Sequence, residues 1–175
     1  MSEDLRYPIG KFVYDESAEK KNRPAAIRSI GELPARLRLA IAGLSMRQMK
    51  TPYRPGGWTL NQLVHHIADS HMNSFIRFKL ALTEDAPTIK TYHENLWAEL
   101  PDANNDAPEL SLKIIDALHE RWFLLLKSLE SDDFSRKLIH PEHGLIDLRY
   151  LVALYEWHGK HHTSHITKLR ERENF

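Results

Sequence analysis

The chain has 175 residues and contains no cysteine. Disulfide bonds, thiolate metal ligands and a cysteine nucleophile are therefore excluded. Any metal ion that the protein binds must be held by histidine or carboxylate side chains. An excess of charge of one sign is also lacking, because 24 Lys and Arg residues balance 24 Asp and Glu residues. Without a basic excess, nucleic acid and anionic membranes are not expected as partners.

Long hydrophobic runs are absent as well. No apolar stretch approaches the roughly 18 residues that a membrane span needs. The first ten residues include early acidic side chains and no apolar segment, which argues against a signal peptide. Hydrophobic residues form 42% of the chain, enough for one packed core at this length. We therefore predict a cytoplasmic protein with a single domain over residues 1–175, in which residues 1–22 form an irregular N-terminal arm.

Apolar residues recur every three or four positions in four segments of the chain, which predicts four long helices. Between the second and third helices lies a long loop over residues 85–108, with one helical turn expected around Glu94–Leu100. Residues 137–147 read as a short β-hairpin with its turn at Pro141–Gly144. The predicted helices cover about residues 23–43, 59–84, 108–131 and 148–171.

Local signals refine the helix boundaries. Pro34 predicts either a kink in the first helix or a late start near Glu32. Thr59 and Gln62 form a capping box that opens the second helix. Asp147 is the predicted N-cap of the last helix. Four long helices with a minor β-hairpin before the last one predict an all-α four-helix bundle.

The most informative residues are the 11 histidines. At about 100° per residue, His158, His162 and His165 lie on one face of the last helix. Imidazoles four residues apart on a helix can bind one metal ion. The apolar residues of this helix share that side, which predicts histidines that face the bundle interior; they are Leu151, Leu154, Tyr155, Ile166 and Leu169.

A further ligand is expected from another helix, because a pair of imidazoles leaves a metal ion under-coordinated. The second helix offers His65, His66 and His71. Helical periodicity does not choose among them. His71 sits at the middle of the apolar stripe, which fits a buried, hydrogen-bonded histidine equally well.

Other polar residues could contribute to the predicted metal site. His140 and His143 bracket the hairpin turn and are predicted at the surface. Asp69 and Glu156 are carboxylates that could assist catalysis, but the pattern assigns no general acid or base. The zinc-protease signature is absent, because His93-Glu94 and His119-Glu120 both lack its second histidine.

The chemistry of such a site follows from its donors. Neutral imidazoles suit zinc, nickel, iron or copper better than magnesium or calcium. Three protein ligands leave a coordination position for water, as in catalytic metal sites. A metal ion can equally ionise a thiol that a substrate brings in.

Several stretches, in order along the chain, resemble the DinB superfamily, specifically its YfiT-like branch of metal-dependent hydrolases. They are Tyr7-Pro-Ile-Gly10, Thr51-Pro-Tyr-Arg-Pro-Gly-Gly-Trp-Thr59, residues 64–79, His140-Pro141 and residues 155–166. The resemblance implies a four-helix bundle, a homodimer and one divalent metal ion per subunit, zinc or nickel. It also implies that His66, His158 and His162 are the metal ligands, which leaves His165 beside the site.

The resemblance implies a hydrolase that uses the metal to activate water against a small-molecule substrate. Some members of the superfamily resemble thiol S-transferases, in which a low-molecular-weight thiol such as bacillithiol attacks an electrophile in detoxification. A third alternative is a non-enzymatic binding or stress protein that the metal stabilises.

Overall fold

The computed structural model describes residues 4–175. Long helices α1, α3, α5 and α6 build a bundle in which α1 and α3 each pack against both α5 and α6. The predicted all-α four-helix bundle with a minor hairpin is therefore confirmed. Among residues 4–175, no helix is both long and apolar enough to cross a membrane. The elements are α1 (Glu16–Ile41), α2 (Met46–Met49), α3 (Leu60–Thr83), α4 (Glu94–Trp97), α5 (Pro108–Ser128), β1 (Lys137–His140), β2 (Gly144–Asp147) and α6 (Leu148–Glu173).

The first helix starts earlier than predicted. The expected irregular arm over residues 1–22 is wrong for residues 16–22, which are helical; residues 1–3 lie outside the described part. The side chain of Asp15 accepts hydrogen bonds from two backbone N–H groups of the first turn, which caps α1. A largely buried ion pair between Glu19 and Arg23, at 2.8 Å, ties down the next turn.

Pro34 neither delays the start of α1 nor ends it, because the helix runs through it to Ile41. A proline has no N–H, so the carbonyl four residues earlier loses its helical hydrogen bond. That carbonyl belongs to Ile30, and it accepts a hydrogen bond of 2.7 Å from the Nδ1 of His119 on α5. The partner that Pro34 removes within the helix is thus replaced from a neighbouring helix.

Most other boundaries agree with the sequence patterns. Thr59 and Gln62 make the reciprocal capping box of α3, and the side chain of Asp147 accepts from the backbone N–H of Tyr150 at the start of α6. The predicted hairpin pairs β1 with β2 in antiparallel register. Helix α2 and a short 3₁₀-helix over Asp133–Ser135 were not predicted, because single turns show no apolar period.

The helix that carries the histidine cluster lies unusually close to α1. A Cβ atom on Gly159 would lie 3.1 Å from a methyl carbon of Leu33 on α1. Leu33 is fully buried and belongs to the apolar core. Glycine at this position therefore permits the close approach and fixes the position of the flanking histidines.

Candidate metal centre

Three histidines from two helices converge on one point. One ring nitrogen each of His66, His158 and His162 lies within 4.8 Å of the others. The Nε2 atoms of His158 and His162 are 3.1 Å apart. All three residues line a cavity of about 540 Å³. We call them the cavity histidines; the resemblance implied this set, and the fold brings its members together.

The turn before α3 holds His66 in place. Trp58 follows this turn, and its ring lies 4.5 Å from the ring of His66. Gly56 has a positive φ of 66°, and a Cβ on Gly57 would lie 2.8 Å from Cγ of Arg54. The turn therefore requires both glycines, and it delivers a bulky aromatic ring against a candidate ligand.

The cavity histidines are held in their neutral form. Burial, followed by the charge of His161, lowers the pKa of His66 to about 4. Burial and neighbouring histidines likewise hold the pKa values of His158 and His162 well below the ordinary value. A neutral imidazole offers a lone pair, which is the form that binds a metal ion.

Two further histidines lie directly behind His158. His71 and His119, the buried pair, are fully buried. The Nε2 of His71 lies 3.0 Å from Nδ1 of His158, and the Nδ1 of His71 lies 2.9 Å from Nε2 of His119. The chain of contacts ends at the carbonyl of Ile30. We call this series, from His158 to the Ile30 carbonyl, the histidine relay.

A carbonyl can only accept, and this fixes every proton in the relay. His119 must donate from Nδ1, so its Nε2 accepts from Nδ1–H of His71. The Nε2 of His71 then accepts from Nδ1–H of His158. In a neutral ring the remaining lone pair of His158 is on Nε2, the atom that faces His162. The relay thus presents the correct tautomer for a metal ligand, and the donor set fits a divalent ion.

The remaining histidines of α3 and α6 make other contacts, although His161 also lines the cavity. His65 contacts the hydroxyl of Ser111 at 2.7 Å through Nδ1. His165 pairs with His161, with their Nε2 atoms 3.1 Å apart. Together with His162 they form a second histidine group, but guanidinium charges nearby lower the pKa of His165 after burial and His161. Those positive charges oppose a second cation there.

The hairpin histidines differ from each other. The predicted surface position is wrong for His140, which is 7% exposed, whereas His143 is exposed. The cause is that β1 packs against α3, which covers His140. Both residues line the cavity, and the Nδ1 of His140 accepts from the backbone N–H of Glu142 at 3.2 Å.

Neither carboxylate considered from the sequence lines this cavity. Glu156 pairs with Lys160 and lines a separate cavity. Burial raises the pKa of Asp69 to about 6, but its side chain is not part of the cavity wall. The carboxylates that do line the cavity, Glu94 and Glu142, are both exposed.

The role of His119 was missed at the level of sequence. It was considered only as part of an incomplete protease signature. Its spacing from Ile115 and Trp122 places it on the buried stripe of α5, and that was the available signal.

A four-helix bundle whose cavity gathers neutral histidines from two helices defines a class of helical proteins suited to binding a divalent metal ion. Comparisons with known proteins agree. The sequence profile of the DinB superfamily matches residues 30–166. The chain belongs to the DinB superfamily.

Similar proteins are known from several bacilli. A protein of Bacillus cereus strain B4264 named "Putative metal-dependent hydrolase" is 52% identical over 172 residues, covering 98% of this chain and 99% of the relative. A relative of the same name from Bacillus mycoides shows the same identity and coverage. The structure of YfiT from Bacillus subtilis, described as "a probable metal-dependent hydrolase with an unusual four-helix bundle topology", superposes with a TM-score of 0.94 at 44% identity. The match covers 98% of this chain and 99% of YfiT.

Proposed function

We propose that the protein is a metal-dependent hydrolase in which His66, His158 and His162 bind one divalent ion, zinc or nickel, per subunit. The observation that carries the proposal is the convergence of three neutral ring nitrogens on one cavity wall. The names of the relatives support the reaction class. Zinc and nickel both accept imidazole nitrogen readily.

A divalent ion at this site supplies Lewis-acid activation of water near neutral pH. Side chains of the protein orient the ligands and line the cavity. The relay orients His158, and Trp58 fixes the ring of His66. Tyr155 and Trp157 contribute aromatic surface to the cavity wall, and the cavity volume of about 540 Å³ fits a small molecule.

Metal analysis of untagged protein tests the site. We expect about one zinc or nickel ion per chain, and near-complete loss in His66→Ala and in His158→Ala, because two imidazoles hold the ion poorly. The matched control is His93→Ala, which removes an exposed histidine outside the cavity and should keep the metal. Unchanged metal content in both ligand variants would contradict the assignment.

Activity panels test the reaction class. Metal-loaded protein should hydrolyse ester or amide substrates, and His158→Ala should abolish this activity. Acceleration of the reaction between bacillithiol and monobromobimane, without any hydrolysis, would instead assign a thiol S-transferase. Inactivity in both panels, with a lower melting temperature after chelation, would assign a non-enzymatic protein that the metal stabilises.

We further propose a cytoplasmic homodimer. Exposed apolar side chains lie one turn apart on two helices, and removing them from water in an interface would be favourable. Examples are Met72 and Ile76 on α3, and Leu110 and Ile114 on α5. Light scattering of the purified protein should give twice the mass of one chain.

A further inference from the structure

Two arginines line the cavity, Arg54 and Arg77, and neither forms an ion pair among the described residues; Arg77 is the more buried of the two. Arg77 is 8% exposed, and it lines the same cavity as the cavity histidines. Its guanidinium donates a hydrogen bond of 3.2 Å to the carbonyl of Lys90. Within residues 4–175, no carboxylate lies within 4.0 Å of it.

A buried charge is strongly unfavourable unless an opposite charge and hydrogen bonds compensate for it. Arg23 offers a comparison, because its side chain is 11% exposed and it pairs with Glu19. Arg77 has no such pair, and most of its five N–H donors have no protein acceptor. An anion from outside the chain would supply the missing partner.

The position of Arg77 relates it to the metal centre. It follows His66 by eleven residues on α3, which brings it to within about 20° of the same side of the helix. The separation along the helix axis is about 16 Å between the two Cα atoms. Arg77 and His66 therefore lie about three turns apart on α3, and both line the cavity.

The neighbours of Arg77 exclude a cation as the missing partner. His140, Glu142 and His143 could hold a metal ion by their spacing alone. However, the pKa of His140 is lowered by burial, then by His143 and then by Arg77, with Glu142 acting in the opposite direction, so positive charge is already near this group. A second cation would add to that repulsion, whereas an anion would relieve it.

We propose that Arg77 binds a carboxylate of the substrate, so that the protein acts on elongated small molecules with an acidic end. A planar guanidinium pairs with a planar carboxylate through two parallel hydrogen bonds. One guanidinium matches the single charge of a carboxylate. This inference rests on the proposed function, because it names the kind of substrate that the same cavity takes.

A matched pair of probes tests the inference. 4-Phenylbutyrate and its uncharged amide differ only at the acidic end, and we expect their binding to change the fluorescence of Trp58 and Trp157, which line the cavity. In wild-type protein the acid should bind at least about tenfold more tightly than the amide, in both zinc-loaded and metal-depleted samples.

Variants then locate the effect. In Arg77→Gln the preference for the acid should fall to about onefold, and Arg77→Lys should keep part of it as a point charge. The control Arg47→Gln removes an exposed arginine from α2 and should keep the full preference. If Arg77→Gln does not fold, the wild-type comparison and Arg77→Lys still decide the question.

Four results would overturn the proposal, and the first three concern the acid preference itself. These are no preference for the acid in wild type, a preference that survives Arg77→Gln, and tighter binding of the corresponding phosphonate than of the acid. A preference that disappears on metal removal would assign the carboxylate to the metal and also overturn it. Conversely, a metal-independent preference in a protein that binds no zinc or nickel would leave the role of Arg77 intact and refute the proposed function.

Discussion

The cavity histidines and the buried pair lie next to each other, yet the structure uses them differently. His66, His162 and the buried pair are buried, His158 is half-buried, and burial lowers the pKa of all five. In the buried pair, every ring nitrogen of His71 and His119 has a partner inside the protein. In the cavity histidines, ring nitrogens converge on a shared point instead. The convergence of ring nitrogens at the cavity therefore separates a candidate ligand from a structural histidine, while the lowered pKa does not.

The largest expected effect comes from replacing one histidine of each group by alanine and comparing the two variants. His71→Ala should lower the free energy of unfolding of metal-free protein by about 3 kcal/mol or more, because it leaves a cavity and strands the partners in His119 and His158. It should also weaken metal binding by about tenfold or more. His66→Ala should abolish metal binding with a smaller loss of stability. Chemical denaturation and metal titration of both variants measure the contrast.

The comparison fails if the two variants respond alike. Equal losses of stability would mean that the convergence of ring nitrogens at the cavity does not distinguish the two groups. Undiminished metal affinity in His71→Ala would mean that the histidine relay has no influence on His158.

The next effect is a pH dependence. Burial lowers the pKa of His119 in the folded state to about 4, although its backbone bond to Ile30 acts in the opposite direction. The unfolded chain, with an ordinary histidine pKa of about 6.5, therefore binds more protons between pH 4 and 6.5. The free energy of unfolding should be largest above about pH 6.5 and should fall as the pH drops toward 4.

Denaturation of metal-free protein across this range measures the slope. In His119→Gln, which cannot take up a proton at this position, the slope should be shallower by about one proton. An identical slope in wild type and variant would show that His119 is not the group responsible.

The smallest effect concerns the start of the relay. Pro34→Ala restores a backbone N–H that competes for the carbonyl of Ile30. Metal affinity should fall a few-fold as the bond from His119 weakens, at about 1 kcal/mol or less. Pro24→Ala is the matched control, because it makes the same change in α1 away from the relay. Isothermal titration with zinc measures the affinity of both variants. Equal affinities would show that the histidine relay does not depend on Pro34.

Much of the fold could be predicted from apolar periodicity and helix-capping residues. The capping box at Thr59 and the cap at Asp147 located two helix starts because those signals are local. The start of α1 was missed because residues 16–22 are polar and show no apolar period. The late start considered at Pro34 is overridden by tertiary contacts, namely the replacement bond to Ile30 from α5 and the packing of the helix into the bundle.

The metal site could be predicted only in part. Helical spacing indicated His158 and His162 on the last helix, but the choice of His66 over His71 needed the resemblance. Helical spacing cannot show which neighbour a side chain meets, and His71 is occupied at both nitrogens by residues 48 and 87 positions away. The isolation of Arg77 likewise depends on which carboxylates the fold keeps away from it.

The anchor of the relay is a main-chain oxygen, and this has an evolutionary consequence. Every residue type at position 30 carries the same carbonyl, so drift in that side chain leaves the anchor in place. The vulnerable position is instead Pro34, one turn away, whose ring keeps that oxygen free of the helix. A search for substitutions that retune this centre over generations should therefore begin at a residue that contacts neither a metal nor a substrate.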